Sequence, residues 1–448
     1  MNPRKRWILW TVIGVLLISA RGPAFVSVFL PPADSVGDFV QDWASGRNHR
    51  DGRFIYEDTR TAYSRATGTA ESANRQILSR NAHPPGAVLA TLPFAALDYR
   101  DAHLVWNLAT FALYAIAVFA LAQEFSGAKT WRWLVPGLGA AVFCYPLVLQ
   151  VQLANFSCLL GALIGGAFLA ARRGFAGAAG LIAGTAAAMK LVPGLLLVHF
   201  LLTRQWRSAI AMFAAFVAIN GVALSLFGAD AFRTYAMELM PAVERENLSS
   251  WLNESLPGCL MRLFAPNESH RILPLIAAPE LGRSLAVLSQ LVALAVMAAV
   301  SFRSSGQPSD RDRAFAVACA AMLLIGPLTW PHSLLMLAVP VVWLAANLLA
   351  GRERNILLAC LAVMWLPANY FAQVFLGPEQ AALMNRDLHR PLTAGENLIA
   401  TGPATIASIG IFLLCLRCRS ERHNPQPPGS TEPPAPSVRS DSSDTRPA

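Results

Sequence analysis

Charge is what this chain has least of. Only 14% of its 448 residues are Asp, Glu, Lys or Arg, against about a quarter in an ordinary soluble domain, while 54% are hydrophobic. So little polar surface excludes a soluble globular chain. A cysteine framework is missing too: the seven cysteines form no CxxC and no His-paired zinc spacing. Cys144, Cys158, Cys319, Cys360 and Cys415 lie in apolar runs and read as small core residues. There is no Walker loop, no GxSxG elbow and no metal-ligand motif, so the chain lacks the usual sequence signs of nucleotide, serine-hydrolase or metal chemistry. Beyond residue 419 there are no aromatics. That stretch of Pro, Ser and Asp cannot bury enough surface to fold, and 419–448 is expected to be a disordered cytoplasmic tail.

What is present is a series of apolar runs. A helix needs about 20 apolar residues to cross the hydrocarbon core. Runs near that length fall at 7–30, 103–124, 133–150, 156–171, 175–189, 191–203, 208–227, 285–302, 314–328, 332–349, 356–374 and 397–416. The first follows Arg4, Lys5 and Arg6 and is broken by Arg21 and Pro23. With no small-residue cleavage pattern and further runs behind it, it reads as a signal anchor. Basic clusters recur between the runs: Lys129 with Arg132, Arg172 with Arg173, Arg204 with Arg207, Arg303 with Arg311 and Arg313, Arg352 with Arg354, and Arg417 with Arg419. Placed on one side by the positive-inside rule, they predict about twelve passes through the inner (plasma) membrane with both termini cytoplasmic. These clusters account for the net charge of +9, which makes membrane lipids the expected surroundings and leaves no role for a nucleic-acid partner.

The expected fold is therefore all-α and polytopic, with one membrane-embedded domain over 1–418. Residues 84–97 are apolar but short and open on Pro84 and Pro85, so they read as a re-entrant or interfacial helix at the outer face. Two long polar segments, 31–83 and 228–283, fall outside. Loops of that length are functional or disordered, and the aromatics interleaved with charge predict ordered extracytoplasmic loops.

Candidate chemistry gathers on that outer side. Asp38 lies between Gly37 and Phe39, with Asp42, Trp43 and Arg47 following. A carboxylate where a watery loop meets the membrane surface can take a proton from a hydroxyl; the same residue is also an ordinary cap for a helix starting at Phe39. His83 stands ahead of a Pro-Pro helix start, as a site residue or a plain interfacial one. Lys190 interrupts the apolar stretch 175–203. At the bilayer centre a Lys costs about 2.5–3.5 kcal/mol, whereas near an interface it snorkels. The topology puts it at the outer end of a hairpin, where it meets an anion such as a lipid phosphate or simply reaches water. Gln150, Gln152 and Asn155, then Asn253, Glu254 and Ser255, then Trp330, Pro331 and His332 fall on the same face. Their convergence points to an outward-facing site; the plainer alternative is that outer loops are polar because they touch water.

The order Asp38-Phe39, Trp43 through Arg47, His83-Pro84-Pro85, Gln152 with Asn155, Lys190-Leu191-Val192-Pro193, Asn253-Glu254-Ser255-Leu256 and Trp330-Pro331-His332 resembles glycosyltransferase family 87. That family contains polyprenyl-phosphate-mannose-dependent mannosyltransferases of the GT-C superfamily. The resemblance runs from Asp38 to about residue 349. It implies inverting transfer of a hexose such as mannose from a polyprenyl-phosphate donor to a lipid or glycan acceptor on the extracytoplasmic side. Asp38 would be the general base, and His332 and Lys190 would stabilise the departing polyprenyl phosphate. Asp42, Arg47, His83, Gln152, Asn155, Asn253 and Glu254 would complete the substrate-binding set. A phosphate leaves without protonation, and fixed positive charge in a dry site favours the charge that develops on it. No metal and no further cofactor are expected. The chain departs from the family pattern at His83, where members tend to have an aromatic, at Glu254, where they tend to have Gln, and at Pro331, where Asp precedes the His.

Two other classes stay open on the residues alone. A secondary transporter also uses broken helices and an intramembrane Lys, although no internal repeat is visible here. A non-catalytic envelope-assembly scaffold would use the outer loops for docking.

Overall fold

The computed structural model describes residues 2–30, 37–70, 80–268, 272–304, 306–348, 351–367, 370–371, 373–374 and 393–418. The expected tail at 419–448 lies outside the described residues, as do 31–36 and 71–79 of the first polar loop. Among the described residues there is no β-strand, only an isolated antiparallel bridge between Asn267 and Ile272. The first half of the chain forms α1 (Pro3–Ser27), α2 (Phe39–Arg50), α3 (Thr59–Thr67), α4 (Pro85–Thr91), α5 (Tyr99–Ser126), α6 (Leu134–Ala141), α7 (Tyr145–Leu153), α8 (Ser157–Arg172), α9 (Ala176–Met189), α10 (Leu195–Leu202) and α11 (Trp206–Phe227). The second half forms α12 (Ala229–Thr234), α13 (Met240–Asn247), α14 (Leu256–Phe264), α15 (Pro279–Arg303), α16 (Pro308–Ile325), α17 (Ala338–Asn347), α18 (Arg352–Trp365) and α19 (Ala394–Arg417).

Four helices, α1, α5, α11 and α15, are long and apolar enough to cross a bilayer. They leave apolar side chains such as Leu16, Ile116, Ile210 and Leu291 exposed, as a lipid-facing surface requires. The chain is a multi-pass membrane protein. The runs expected at 156–171, 175–189, 191–203 and 332–349 coincide with apolar helices of 10–17 residues, and the run at 397–416 has an apolar stretch of that length, Gly402–Arg417, within α19. These are short for a full crossing, so length and composition alone support four spans, or five with a bent pair, against the twelve expected.

Two expected spans need correction. The run at 133–150 is not one helix: Thr130–Ala141 and Tyr145–Leu153 meet at a 71° bend. Cys144 is extended there and Pro146 opens the new helix, because a ring without an N–H cannot continue the old one. The run at 356–374 breaks after Trp365, where Leu366 turns extended ahead of Pro367, as a residue preceding proline must. At the other loop, α15 begins at Pro279, inside the segment read as the end of the second polar loop. The short apolar segment forms α4 and a 3-10 turn, Leu92–Ala96. It packs beneath α2, whose Arg50 donates to the Ala95 carbonyl at 2.7 Å.

The core is built around α16. Every residue from Phe315 to Leu324 is at most 2% exposed, enclosed by α8, α10, α14, α15, α17 and α19. A second packing device is the seam between α9 and α11. Gly180 and Gly184 share one face of α9, and a Cβ on either would overlap the backbone of α11 at Ser208 and Met212. Such small-xxx-small seams let two backbones approach where no hydrophobic force separates protein from lipid.

The seam fixes where α9 ends, and therefore where Lys190 stands. Gly184→Leu is expected to destabilise the protein by about 1–3 kcal/mol, the usual cost of overpacking, seen as a lower midpoint in detergent thermal unfolding. An unchanged midpoint would show that α9 and α11 are not in close backbone contact.

Candidate active site

Asp38 precedes the first turn of α2, but its side chain makes no capping hydrogen bond. Its carboxylate points instead toward the junction of α7 and α8. Gly37 makes this possible: a Cβ there would overlap the Leu153 backbone, so the chain lies flush on the end of α7. At that junction Ala154 takes the left-handed conformation with φ 51°. The turn is locked by Gln150, whose amide nitrogen donates to the Asn155 carbonyl while its oxygen accepts from Ser157 N at 3.2 Å. Trp106 Nε1 donates to the Ala154 carbonyl at 2.9 Å. Held in this way, Asn155 Nδ2 donates to Asp38 Oδ2 at 3.0 Å.

His332 reaches the same oxygen from the other half of the chain. It sits in the 3-10 turn Pro331–Leu337, with Nδ1 2.8 Å from Ser157 Oγ and Nε2 4.0 Å from Asp38 Oδ2. His332 is buried, whereas Asp38 keeps 33% of its side-chain surface open. The carboxylate thus lines a recess that is reachable yet surrounded by protein. Burial pushes its pKa above the ordinary 3.8, and the Asn155 hydrogen bond together with the charges of His83 and Lys190 holds that rise back.

One helical turn along α2, the buried Asp42 organises a second pair. Asn81 Nδ2 donates to Asp42 Oδ1 at 3.0 Å, and His83 Nδ1 lies 2.9 Å from Oδ2. Asn81 also accepts from His83 N at 2.8 Å, and Gln41 accepts from Ala82 N at 3.0 Å. The His83 ring meets Phe156 edge to face at 5.2 Å. Burial alone would lower its pKa, but the charge and hydrogen bond of Asp42 outweigh that and raise it. His83 is therefore held toward its cationic form.

Lys190 follows the last turn of α9 in extended conformation. Gly86 near the start of α4 presses on the Ala188 backbone, which brings the end of α9 beside His83. The ammonium lies within electrostatic reach of Asp38, His83 and His332. The structure therefore gathers Asp38, Asp42, His83, Asn155, Lys190 and His332 from five separate stretches of chain. Among the described residues no group of three or more His, Cys, Asp or Glu side chains has the arrangement of a metal site.

Four other candidates are engaged elsewhere. Arg47 donates to the Leu97 carbonyl at 2.9 Å and lies over the Trp43 ring, which ties α2 to the start of α5. Gln152 is exposed on α7; the neighbouring Gln150 does the internal bonding. Asn253 uses its whole amide inside the protein, donating to the Leu248 and Pro327 carbonyls and accepting from Ser255 N and Thr329 N. Glu254 is buried beside Tyr145, Pro331 and Met364, with Oε2 lacking a hydrogen-bond partner among the described residues. Reading the sequence by motif missed Ser157 and Asn81. Neither carries a signal until the fold sets it against His332 or Asp42.

Comparison with known proteins places the chain in a family. The model of glycosyltransferase family 87 matches residues 81–327, a stretch that includes His83, Asn155 and Lys190 but neither Asp38 nor His332. The chain is similar to a polyprenol-phosphate-mannose-dependent alpha-(1-2)-phosphatidylinositol pentamannoside mannosyltransferase of Mycolicibacterium smegmatis, 26% identical over 63% of this chain and 67% of that protein. It is also similar to a polyprenol-phosphate-mannose-dependent alpha-(1-2)-phosphatidylinositol mannoside mannosyltransferase of the same organism, 24% identical over 73% of this chain and 75% of that one. A Mycobacterium tuberculosis protein of the latter description is 28% identical over 43% of each chain. No solved structure matches.

Glu254 supplies a pH test of the packing behind the site. Burial pushes its carboxyl up to about 8, so the folded chain keeps a proton that the unfolded chain loses above about pH 4.3. The penalty is absent below that value, grows as pH rises, and is complete above about 8. Glu254→Gln should therefore raise the unfolding midpoint over the parent far more at pH 8.5 than at pH 5. A constant offset between the two proteins across that range would mean that Glu254 is solvated.

Proposed function

The chain belongs to glycosyltransferase family 87, and from that membership we propose that it transfers a hexose, mannose being the first candidate, from a polyprenyl-phosphate donor to a hydroxyl of a lipid or glycan acceptor on the extracytoplasmic side. One observation carries the reading: a reachable carboxylate, Asp38, shares its recess with His332, Lys190 and His83. A base and a cationic anion-holder side by side are what a displacement at a sugar phosphate needs. The donor named for the relatives supports the polyprenyl phosphate, and their acceptors support a lipid-borne one.

The reaction follows from the arrangement. Asp38 takes the proton of the acceptor hydroxyl as that oxygen attacks the anomeric carbon. The bond from that carbon to the phosphate oxygen breaks, the electron pair leaves with polyprenyl phosphate, and the single displacement inverts the centre. His83, kept charged by Asp42, and Lys190 meet the negative charge on the departing phosphate. In this reading the Ser157 hydroxyl donates to Nδ1 of His332, which puts the imidazole proton on Nε2, toward the recess. Charge met by preorganised donors in a dry site is worth far more than in water.

Asp38→Asn is expected to cut transfer by about 10²- to 10⁴-fold, the usual contribution of a general base, without loss of folding in detergent. Purified protein given polyprenyl-phosphate mannose and membrane lipid extract, with glycolipid read by mass spectrometry, tests the activity; near-normal turnover by Asp38→Asn would remove the base from Asp38. Because Asn155 stabilises the ionised carboxylate, Asn155→Ala should move the acidic limb of the pH–kcat/KM profile to higher pH. A limb that stays put or moves lower contradicts that role. With side chains meeting the phosphate charge, turnover should also survive EDTA, and its loss with recovery on adding Mg²⁺ or Mn²⁺ would contradict this part of the proposal.

A further inference from the structure

At the far end of α8 from the recess lies a second polar cavity that the transfer reaction does not use. Helix α8 carries Ser157 at one end and Arg172 at the other, about 22 Å apart at 1.5 Å per residue. Around Arg172 the chain assembles a partly buried ionic knot. Arg172 Nε donates to Glu124 Oε1 at 3.1 Å, its Nη1 pairs with Asp312 Oδ2, and Arg173 Nη2 pairs with Glu124 Oε2 at 2.9 Å. Both carboxylates are thereby occupied.

Beside the knot is a cavity of about 130 Å³, lined by Arg172, Gly174, His199, Gln205, Arg311 and Asp312 among others. That is roughly ten times what one water needs, so a tetrahedral phosphate fits. His199 packs against the cavity and is fully buried; its Nδ1 bonds to Ser301 Oγ at 3.2 Å, and its Nε2 is enclosed with no partner among the described residues. Arg311 is exposed at the mouth, and its guanidinium has no ion pair among the described residues. The Arg311 guanidinium at the mouth, together with Arg172 in the wall, gives the cavity a cationic lining suited to an anion with several acceptor oxygens.

The rim identifies what carries the anion. Phe175 follows Gly174 and Trp206 follows Gln205, and both aromatics are exposed, at 65% and 58%. Aromatics of this kind seat at the membrane–water boundary, so apolar chains have a surface to lie on directly beside the cavity. We propose that this cavity binds the phosphate of an anionic phospholipid from the leaflet opposite the Asp38 recess, which the basic clusters assign to the cytoplasm.

The test uses the full-length protein in detergent, with short-chain phosphatidylglycerol, short-chain phosphatidylcholine and inorganic phosphate as probes, read by native mass spectrometry and thermal shift. Phosphatidylglycerol should bind saturably and at least tenfold more tightly than phosphatidylcholine, and inorganic phosphate should compete with it. Arg311→Gln, at an exposed position, should weaken phosphatidylglycerol about tenfold while leaving the lipid-free midpoint unchanged. Gln205→Ala provides a second variant, expected to weaken it less. Equal affinity for the two lipids, or parental affinity in both variants, would overturn the site. A response to inorganic phosphate with none to phosphatidylglycerol would overturn the lipid as its source.

Discussion

A carboxylate that is to act as a base must be ionised and reachable, yet the recess holding Asp38 is dry enough to favour the protonated acid. The hydrogen bond from Asn155 settles this conflict, and much of the fold serves it. Asn155 points at Asp38 only because Ala154 takes a left-handed turn, Gln150 fastens both sides of that turn, and Trp106 holds the Ala154 carbonyl from α5. Gly37 then lets the chain pass close enough to α7 for the carboxylate to arrive. The charges of His83 and Lys190 act in the same direction as Asn155. Under the proposed reaction each has two tasks, keeping the base ionised beforehand and meeting the phosphate during transfer.

The two histidines solve different problems. His83 is held by a buried carboxylate, which favours its charged form. His332 is buried against Ser157, whose hydroxyl orients it. Asp42 gives the cluster a second negative charge, which raises the Asp38 pKa modestly and limits the field of the cations.

Low charge and recurring apolar runs made the membrane character and the all-helical class legible in the sequence. The rest depended on contacts between distant segments. The expected single helix at 133–150 hides a 71° bend, because an apolar run looks the same whether or not a proline has restarted the helix. Asn253 and Arg47 looked like ligands by type. One has its amide saturated by backbone and the other pins the start of α5, and sequence cannot separate a side chain spent on structure from one left free. Gly180 and Gly184 passed as ordinary apolar residues until α11 was set against them. Ser157 and Asn81 had no signal at all, since a positioning residue is defined by the group it touches.

The matched family stretch, 81–327, stops short of both Asp38 and His332. It does contain nearly everything that positions them: the α7–α8 turn, Ser157, the end of α9 and the Asn81–His83 segment. The order of dependence follows. The middle of the chain is a scaffold, and the two flanks each deliver one group into it, Asp38 onto Asn155 and His332 against Ser157. Helix α2 is anchored there by Gln41, Asp42 and Arg47, and the Pro331 turn is tied in by the Tyr114 hydroxyl, which donates to the Leu335 carbonyl at 3.1 Å. A site divided in this way is sensitive to small relative shifts of its flanks, since Asp38 and His332 are 4.0 Å apart with no direct hydrogen bond between them. The scaffold between them sets the width of that gap, through Asn155 on one side and Ser157 on the other.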